Sequence, residues 1–156
     1  MTTPPEPLRP LGRTALWLGY AGLLPQMLGL LLFAIDGEMR WVVPAAGLFY
    51  AALIFSFVGG AWWGAAVASG REAPWLFVVA VLPSLIGWAA LLPWLWGWDW
   101  PAGYLVAIGV LLAASPLVDR WLVRVVAMPG DWMTLRTRLS VGLGAMTVLL
   151  GVLAAA

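Results

Sequence analysis

Cysteine and histidine are both absent from this 156-residue chain, lysine and asparagine are absent too, and all eight basic residues are arginine. Without cysteine there are no disulfides, thiolate nucleophiles or thiolate metal sites. Without histidine as well, a transition-metal site loses its usual ligands, and haem would have only Met or Tyr for axial bonds. The available bases and nucleophiles shrink to carboxylates, Ser, Thr and Tyr. No catalytic residue, metal or cofactor is expected, and the chain reads as a non-enzyme. No phosphate-cradling loop or nucleic-acid patch is present, because the glycines lie within hydrophobic runs. Charge is scarce as well. Charged residues make up 10% of the chain against 63% hydrophobic residues, where a soluble domain carries about a quarter charged and about half apolar. With a mean hydropathy of +0.97, the chain has too little charge to cover a sphere in water.

What is there is apolar sequence in long runs. The expected fold is all-α, a single transmembrane domain built as a bundle of five helices. A proline-rich N-terminal tail, residues 1–13, carries Pro4, Pro5, Pro7 and Pro10 and reads as extended. The spans are expected over residues 14–35, 42–69, 74–96, 101–118 and 139–155. The first, at roughly 22 residues, is too long for a signal-peptide core and reads as a retained anchor.

The arginines set the orientation. Arg9, Arg13, Arg71, Arg120, Arg124, Arg136 and Arg138 fall on one side, and Arg40 falls on the other. The positive-inside rule places the N-terminus in the cytoplasm and the C-terminus in the periplasm, given a bacterial inner membrane, to which the arginine-only basic set points as a codon bias. Trp94, Trp96, Trp98 and Trp100 mark the opposite interface. All seven acids are placed in the tail or loops, so no ionisable residue is expected inside the membrane. In the segment 119–138, Arg120 and Arg124 share one helix face while Trp121, Leu122, Val125 and Val126 cover the other. That pattern fits a short cytoplasmic interfacial helix before the last span. Asp131 stands where it would cap that span. Arg120, Arg124, Arg136 and Arg138 are the expected contacts to anionic lipid.

Two spans carry candidate sites. Pro25 is expected to kink the first, since it removes a backbone donor and pushes aside the Ala21 carbonyl. Gln26, the only glutamine, either contacts a ligand or neighbouring helix or satisfies groups freed by that kink. In the second span Ala52, Ser56, Gly60, Gly64 and Ala68 recur every fourth residue, and Gly60 and Gly64 form a GxxxG pair. Ser56, Gly59, Gly60 and Gly64 are the expected helix-packing positions, with the glycine pair facing another helix of the same chain. Trp62, Trp63 and Trp88 join Gln26 as candidate intramembrane contacts.

These stretches resemble a known family. Leu18 to Pro25 is similar to its LGxxGLxPF signature, and Tyr50 to Gly64 to its YgaxxLSFLGGxxWG core. Pro83 to Leu92 resembles its third-span block, and Trp132 to Ser140 its entry to the last helix. The family is the domain-of-unknown-function group of five-span membrane proteins that includes mitochondrial transmembrane protein sixty-nine. The resemblance implies five spans in a bacterial inner membrane or mitochondrion and no established reaction. Gln26 stands where that family usually has Phe, and Trp62 where many of its members carry His or Arg.

Three functional readings follow. The first is a non-enzymatic accessory or assembly protein, packing through small-residue faces within a membrane complex or homo-oligomer. The second is a binder of a hydrophobic ligand (isoprenoid, tetrapyrrole or lipid) in a Trp-rich pocket. The tryptophan-rich sensory proteins have a compatible architecture, but their Trp-Asn-Pro-Pro type motif is missing. The third is an enzyme acting on lipid headgroups through the arginines of the fourth loop. Membrane lipids are expected partners, and nucleic acid is not.

Overall fold

The computed structural model describes residues 10–35, 37–70, 74–98, 101–124, 126 and 128–156. Glu6, Arg9, Asp36, Arg71, Glu72, Asp99, Trp100 and Val125 lie outside the described residues. Seven α-helices are described: α1 (Arg13–Ala21), α2 (Leu24–Ile35), α3 (Val42–Ala68), α4 (Pro74–Leu95), α5 (Ala102–Ala114), α6 (Pro116–Leu122) and α7 (Trp132–Ala155). A 3-10 turn, Glu38–Arg40, precedes α3. They make five stretches long and apolar enough to cross a membrane: Arg13–Ile35, Glu38–Ala68, Pro74–Leu95, Ala102–Leu122 and Trp132–Ala155. The protein is a multi-pass membrane protein with an all-helical bundle.

The first stretch breaks where proline requires it. Pro25 has no N–H for the Ala21 carbonyl, α1 ends at Ala21, and Gly22 and Leu23 form a turn before α2. The Tyr50 hydroxyl, from α3, donates to the Gly22 carbonyl at this break. Gln26 takes no part in that repair.

The fourth and fifth stretches are longer than the hydropathy pattern predicts. Pro116 sits in the first turn of α6, where its missing N–H costs nothing. The Val118 and Asp119 N–H groups bond the Ser115 carbonyl, so α6 runs on from α5. The short helix before the last span therefore starts at Pro116, and it turns Asp119 and Leu122 fully inward. The last helix starts at Trp132 rather than Leu139. Asp131 stands at its N-cap but makes no side-chain cap bond. Its carboxylate instead accepts the Leu11 N–H, at 3.1 and 3.2 Å, and ties the incoming chain to the start of α7.

Three inward stripes build the core, each stepping by three and four residues. On α3 they are Leu48, Ala51, Phe55, Val58, Trp62 and Ala66; on α5 and α6, Leu105, Ile108, Leu112, Ser115, Asp119 and Leu122; on α7, Ser140, Leu143, Thr147 and Leu150, led by Arg136. Seven residues nearly complete two turns, so such a stripe drifts only about 20° per repeat and stays on one face.

Glycine sets two close antiparallel contacts. Between α3 and α4, Gly87 lies against Ala52, the Ser56 and Ser84 hydroxyls meet at 2.8 Å, and a Cβ on Gly59 would collide with the Ala80 carbonyl oxygen. Between α5 and α7, a Cβ on Gly144 would lie 2.5 Å from the Gly109 carbonyl oxygen, and one on Gly151 2.8 Å from that of Ala102.

The every-fourth-residue stripe of α3 is corrected by this packing. Ala52 and Ser56 do meet α4, but a Cβ on Gly60 or Gly64 would meet nothing within 4 Å, and both are exposed. Four residues turn a helix by 400°, so each step drifts about 40°, and the run from Ala52 to Ala68 travels nearly to the opposite face. Gly59, seven residues after Ala52, stays in line.

Candidate functional site

At one end of the bundle the three core stripes each deliver a polar group. Trp62, six residues before the end of α3, is 3% exposed. Asp119 in α6 is fully buried, and Arg136 stands one turn into α7 with its side chain 14% exposed. The Trp62 Nε1–H donates to Asp119 Oδ1 at 2.6 Å, and the Arg136 Nε–H donates to Asp119 Oδ2 at 3.1 Å. One carboxylate thus joins three of the five stretches. A carboxylate removed from water needs such partners, since an unpaired buried charge costs several kcal/mol. The Arg136 guanidinium also lies 5.8 Å from the Trp132 ring centroid, within cation–π range.

Asp119, expected in a loop with the other acids, lies instead in α6 and is buried. Asp119 and Arg136 are inside the bundle, because each occupies a core position on its stripe. Arg136 is consequently an inward partner of Asp119 and leaves the expected anionic-lipid surface. Arg120, Arg124 and Arg138 remain exposed, and Arg120 and Arg138 flank a groove with Thr134 and Thr137.

Beside the ion pair lies a cavity of about 160 Å³. Gly19, Gly22 and Leu23 line it from the first stretch, Ile54 and Val58 from α3, Leu112 from α5, and Leu139 and Leu143 from α7. Leu18 and Phe57, 69% and 70% exposed, form its rim, so it opens on the outside of the bundle. Its polar lining is Arg136 and Ser140. Ser140 is engaged: its hydroxyl meets that of Ser115 at 3.0 Å, and Ser115 also donates to the Leu112 carbonyl. Arg136 is not fully engaged. Its Nη2 is buried and has no hydrogen-bond partner, a condition costing about 1–3 kcal/mol for an ordinary group and more for a charged one.

The candidate intramembrane contacts read from the sequence do not converge. Gln26 is 1% exposed, against Gly47 of α3, and neither amide atom has a partner. Trp63 is 46% exposed and edge-on to Phe77 at 4.9 Å. Trp88 points outward. The cavity has no tryptophan in its lining, so the Trp-rich pocket is corrected to an aliphatic one with an arginine at its wall. Among the described residues no group of acids could hold a metal ion.

Comparison with known proteins agrees with this architecture. Transmembrane protein 69 of Xenopus tropicalis is 37% identical over 83 residues, which is 51% of this chain and 33% of that protein. The chain thus spans a third of the length of the curated relative it matches. No solved structure matches it. The family profile described as "Protein of unknown function (DUF3429)" matches residues 11–153, nearly the whole bundle from the start of the first stretch to the end of the last, and the chain belongs to that family.

Proposed function

We propose that this is a non-catalytic membrane protein that receives one end of a hydrophobic or amphiphilic molecule in the cavity beside Arg136. The observation that carries the reading is an apolar cavity open to the outside of the bundle with Arg136 and Ser140 as its polar lining. Binding is favoured over reaction because the polar lining is an arginine, which only donates, and Ser140, whose hydroxyl already accepts from Ser115. The size narrows the ligand. Sites that enclose drug-sized molecules run to about 300–1,000 Å³, and a cavity of 160 Å³ is too small for a tetrapyrrole. It suits one end of a lipid or isoprenoid whose tail stays in the bilayer.

Ile54→Trp would fill the cavity from its α3 wall. Protein purified in mild detergent and examined by native mass spectrometry should carry a bound small molecule, with occupancy in the variant reduced by about tenfold, equivalent to 1.4 kcal/mol. No adduct on either protein would end this reading. The accessory role would then be favoured by one observation, the open face at Gly60 and Gly64, where another backbone has room to approach. In that case a protein partner should copurify, and Gly60→Leu should release it.

The membrane is read as the bacterial inner membrane, with the N-terminus cytoplasmic, since the described arginines Arg13, Arg120, Arg124, Arg136 and Arg138 gather at one end while Arg40 lies at the other. A reporter that works only in the periplasm, fused after Ala156, should be active. Cytoplasmic activity there would reverse the orientation.

A further inference from the structure

On the side of α7 away from the cavity, two surface features line up. The cavity is walled by Leu139 and Leu143. Thr134, Arg138, Val141, Ala145 and Val152 instead step by four, three, four and seven residues along the outer face of the same helix. Val110, Ala114, Leu117 and Arg120 make the matching strip on α5 and α6, which run on from one another through Ser115. Where the strips are apolar they enclose a groove, lined by Val110 and Ala114 on one side and by Val141, Ala145, Leu149 and Val152 on the other. Where they turn polar they enclose a second one, lined by Arg120, Thr134 and Arg138. Both arginines are exposed. Among the described residues neither has an acidic partner, since Asp119 is held by Arg136 and Asp131 by the Leu11 N–H.

We propose that this face seats one anionic glycerophospholipid, with its phosphate between Arg120 and Arg138 and one acyl chain lying in the groove between α5 and α7. Two exposed guanidiniums favour a headgroup of net negative charge, and each can meet a phosphate with paired N–H donors. Depth agrees: Trp121, next to Arg120, packs edge-on against Trp75 at the start of α4, and such indoles lie at headgroup level. Length agrees as well. From Val141 to Val152 the groove runs roughly 16 Å at 1.5 Å per residue, about the hydrocarbon depth of one leaflet. A free phosphate would meet the arginines alone, whereas a lipid fills both features.

Delipidated protein in neutral detergent is titrated with palmitoyl-oleoyl phosphatidylglycerol, with phosphatidylcholine of the same chains, and with glycerol phosphate, and occupancy is read by native mass spectrometry. Phosphatidylglycerol should bind about tenfold tighter than phosphatidylcholine, and glycerol phosphate should show no adduct at the same concentrations. Arg120→Gln combined with Arg138→Gln should bring phosphatidylglycerol to within about threefold of phosphatidylcholine. Ala145→Trp, which fills the groove from an exposed position, should weaken both lipids by about tenfold. Ile54→Trp, which fills the cavity, should leave both affinities unchanged. Equal binding of the two lipids would overturn the contact between the arginines and the phosphate. An Ala145→Trp variant that binds as the parent does would overturn the groove, and glycerol phosphate bound as tightly as phosphatidylglycerol would make this a site for a free phosphate. Loss of phosphatidylglycerol in Ile54→Trp would move the lipid into the cavity. A dimer or protein partner released by Ala145→Trp, with no lipid bound, would give the groove to another helix instead.

Discussion

Asp119→Leu is expected to lower the stability of the purified protein by about 3–5 kcal/mol, the cost of leaving a buried charge without its partner. Asp119 is fully buried, and its loss strands the Arg136 guanidinium and the Trp62 N–H together. Trp62→Phe keeps an aromatic ring but removes the donor and part of the buried indole. It should cost about 1–3 kcal/mol, the range for a buried acceptor deprived of its bond. Arg138→Gln, at an exposed site on the same helix as Arg136, should stay within about 0.5 kcal/mol of the parent. Denaturation in detergent, followed by a spectroscopic signal, ranks the three. Were Asp119→Leu no worse than Arg138→Gln, the carboxylate would not join the helices as described.

The second large effect lies where helices touch through glycine. Gly144→Leu would drive an isobutyl group into the Gly109 carbonyl and the Ala113 N–H of α5, which already lie 2.5 and 2.7 Å from where a Cβ would stand. Overpacking of a tight site costs about 1–3 kcal/mol and sometimes more, and rigid backbone on the far side puts this position at the upper end. Gly59→Leu meets the Ala80 carbonyl in the same way. Gly60→Leu meets nothing and should leave the monomer within about 0.5 kcal/mol. Thermal midpoints of the three variants separate these outcomes. A Gly60→Leu loss as large as that of Gly59→Leu would return the neighbouring helix to the face where the every-fourth-residue pattern placed it.

That pattern illustrates what could be read from residues alone. The five spans were legible, because runs such as Val42 to Ala68 have too much apolar length for anything but a membrane or a large core. Which face of each helix points inward was legible in principle. Leu105, Ile108, Leu112, Ser115, Asp119 and Leu122 keep the three-and-four spacing throughout, and that spacing carries Asp119 into the core. The signal was masked by Arg120 and Arg124 beside it, whose charges made the segment resemble a loop, and by Pro116, which suggests an end where it begins a new helix. Gly60 and Gly64 misled in the opposite direction, since a local pair of small residues says nothing about drift over four turns. The cavity could not be read at all. It depends on where Gly19, Ile54 and Leu139 stop short of one another, and that is a property of packing between helices rather than of any one of them.

Trp62 also gains a physical meaning from its place. Its indole N–H points at the Asp119 carboxylate and ties the end of α3 to α6.

Asp119 and Arg136 act as a pair inside the bundle, and a double-mutant cycle measures that most directly. Asp119→Leu, Arg136→Met and the combined variant are unfolded under one set of conditions. Each single change should cost about 3–5 kcal/mol, whereas the combined change, which exchanges a buried ion pair for apolar side chains, should cost far less than either alone. Additive losses, with the combined variant as damaged as the sum of its parts, would contradict the pairing.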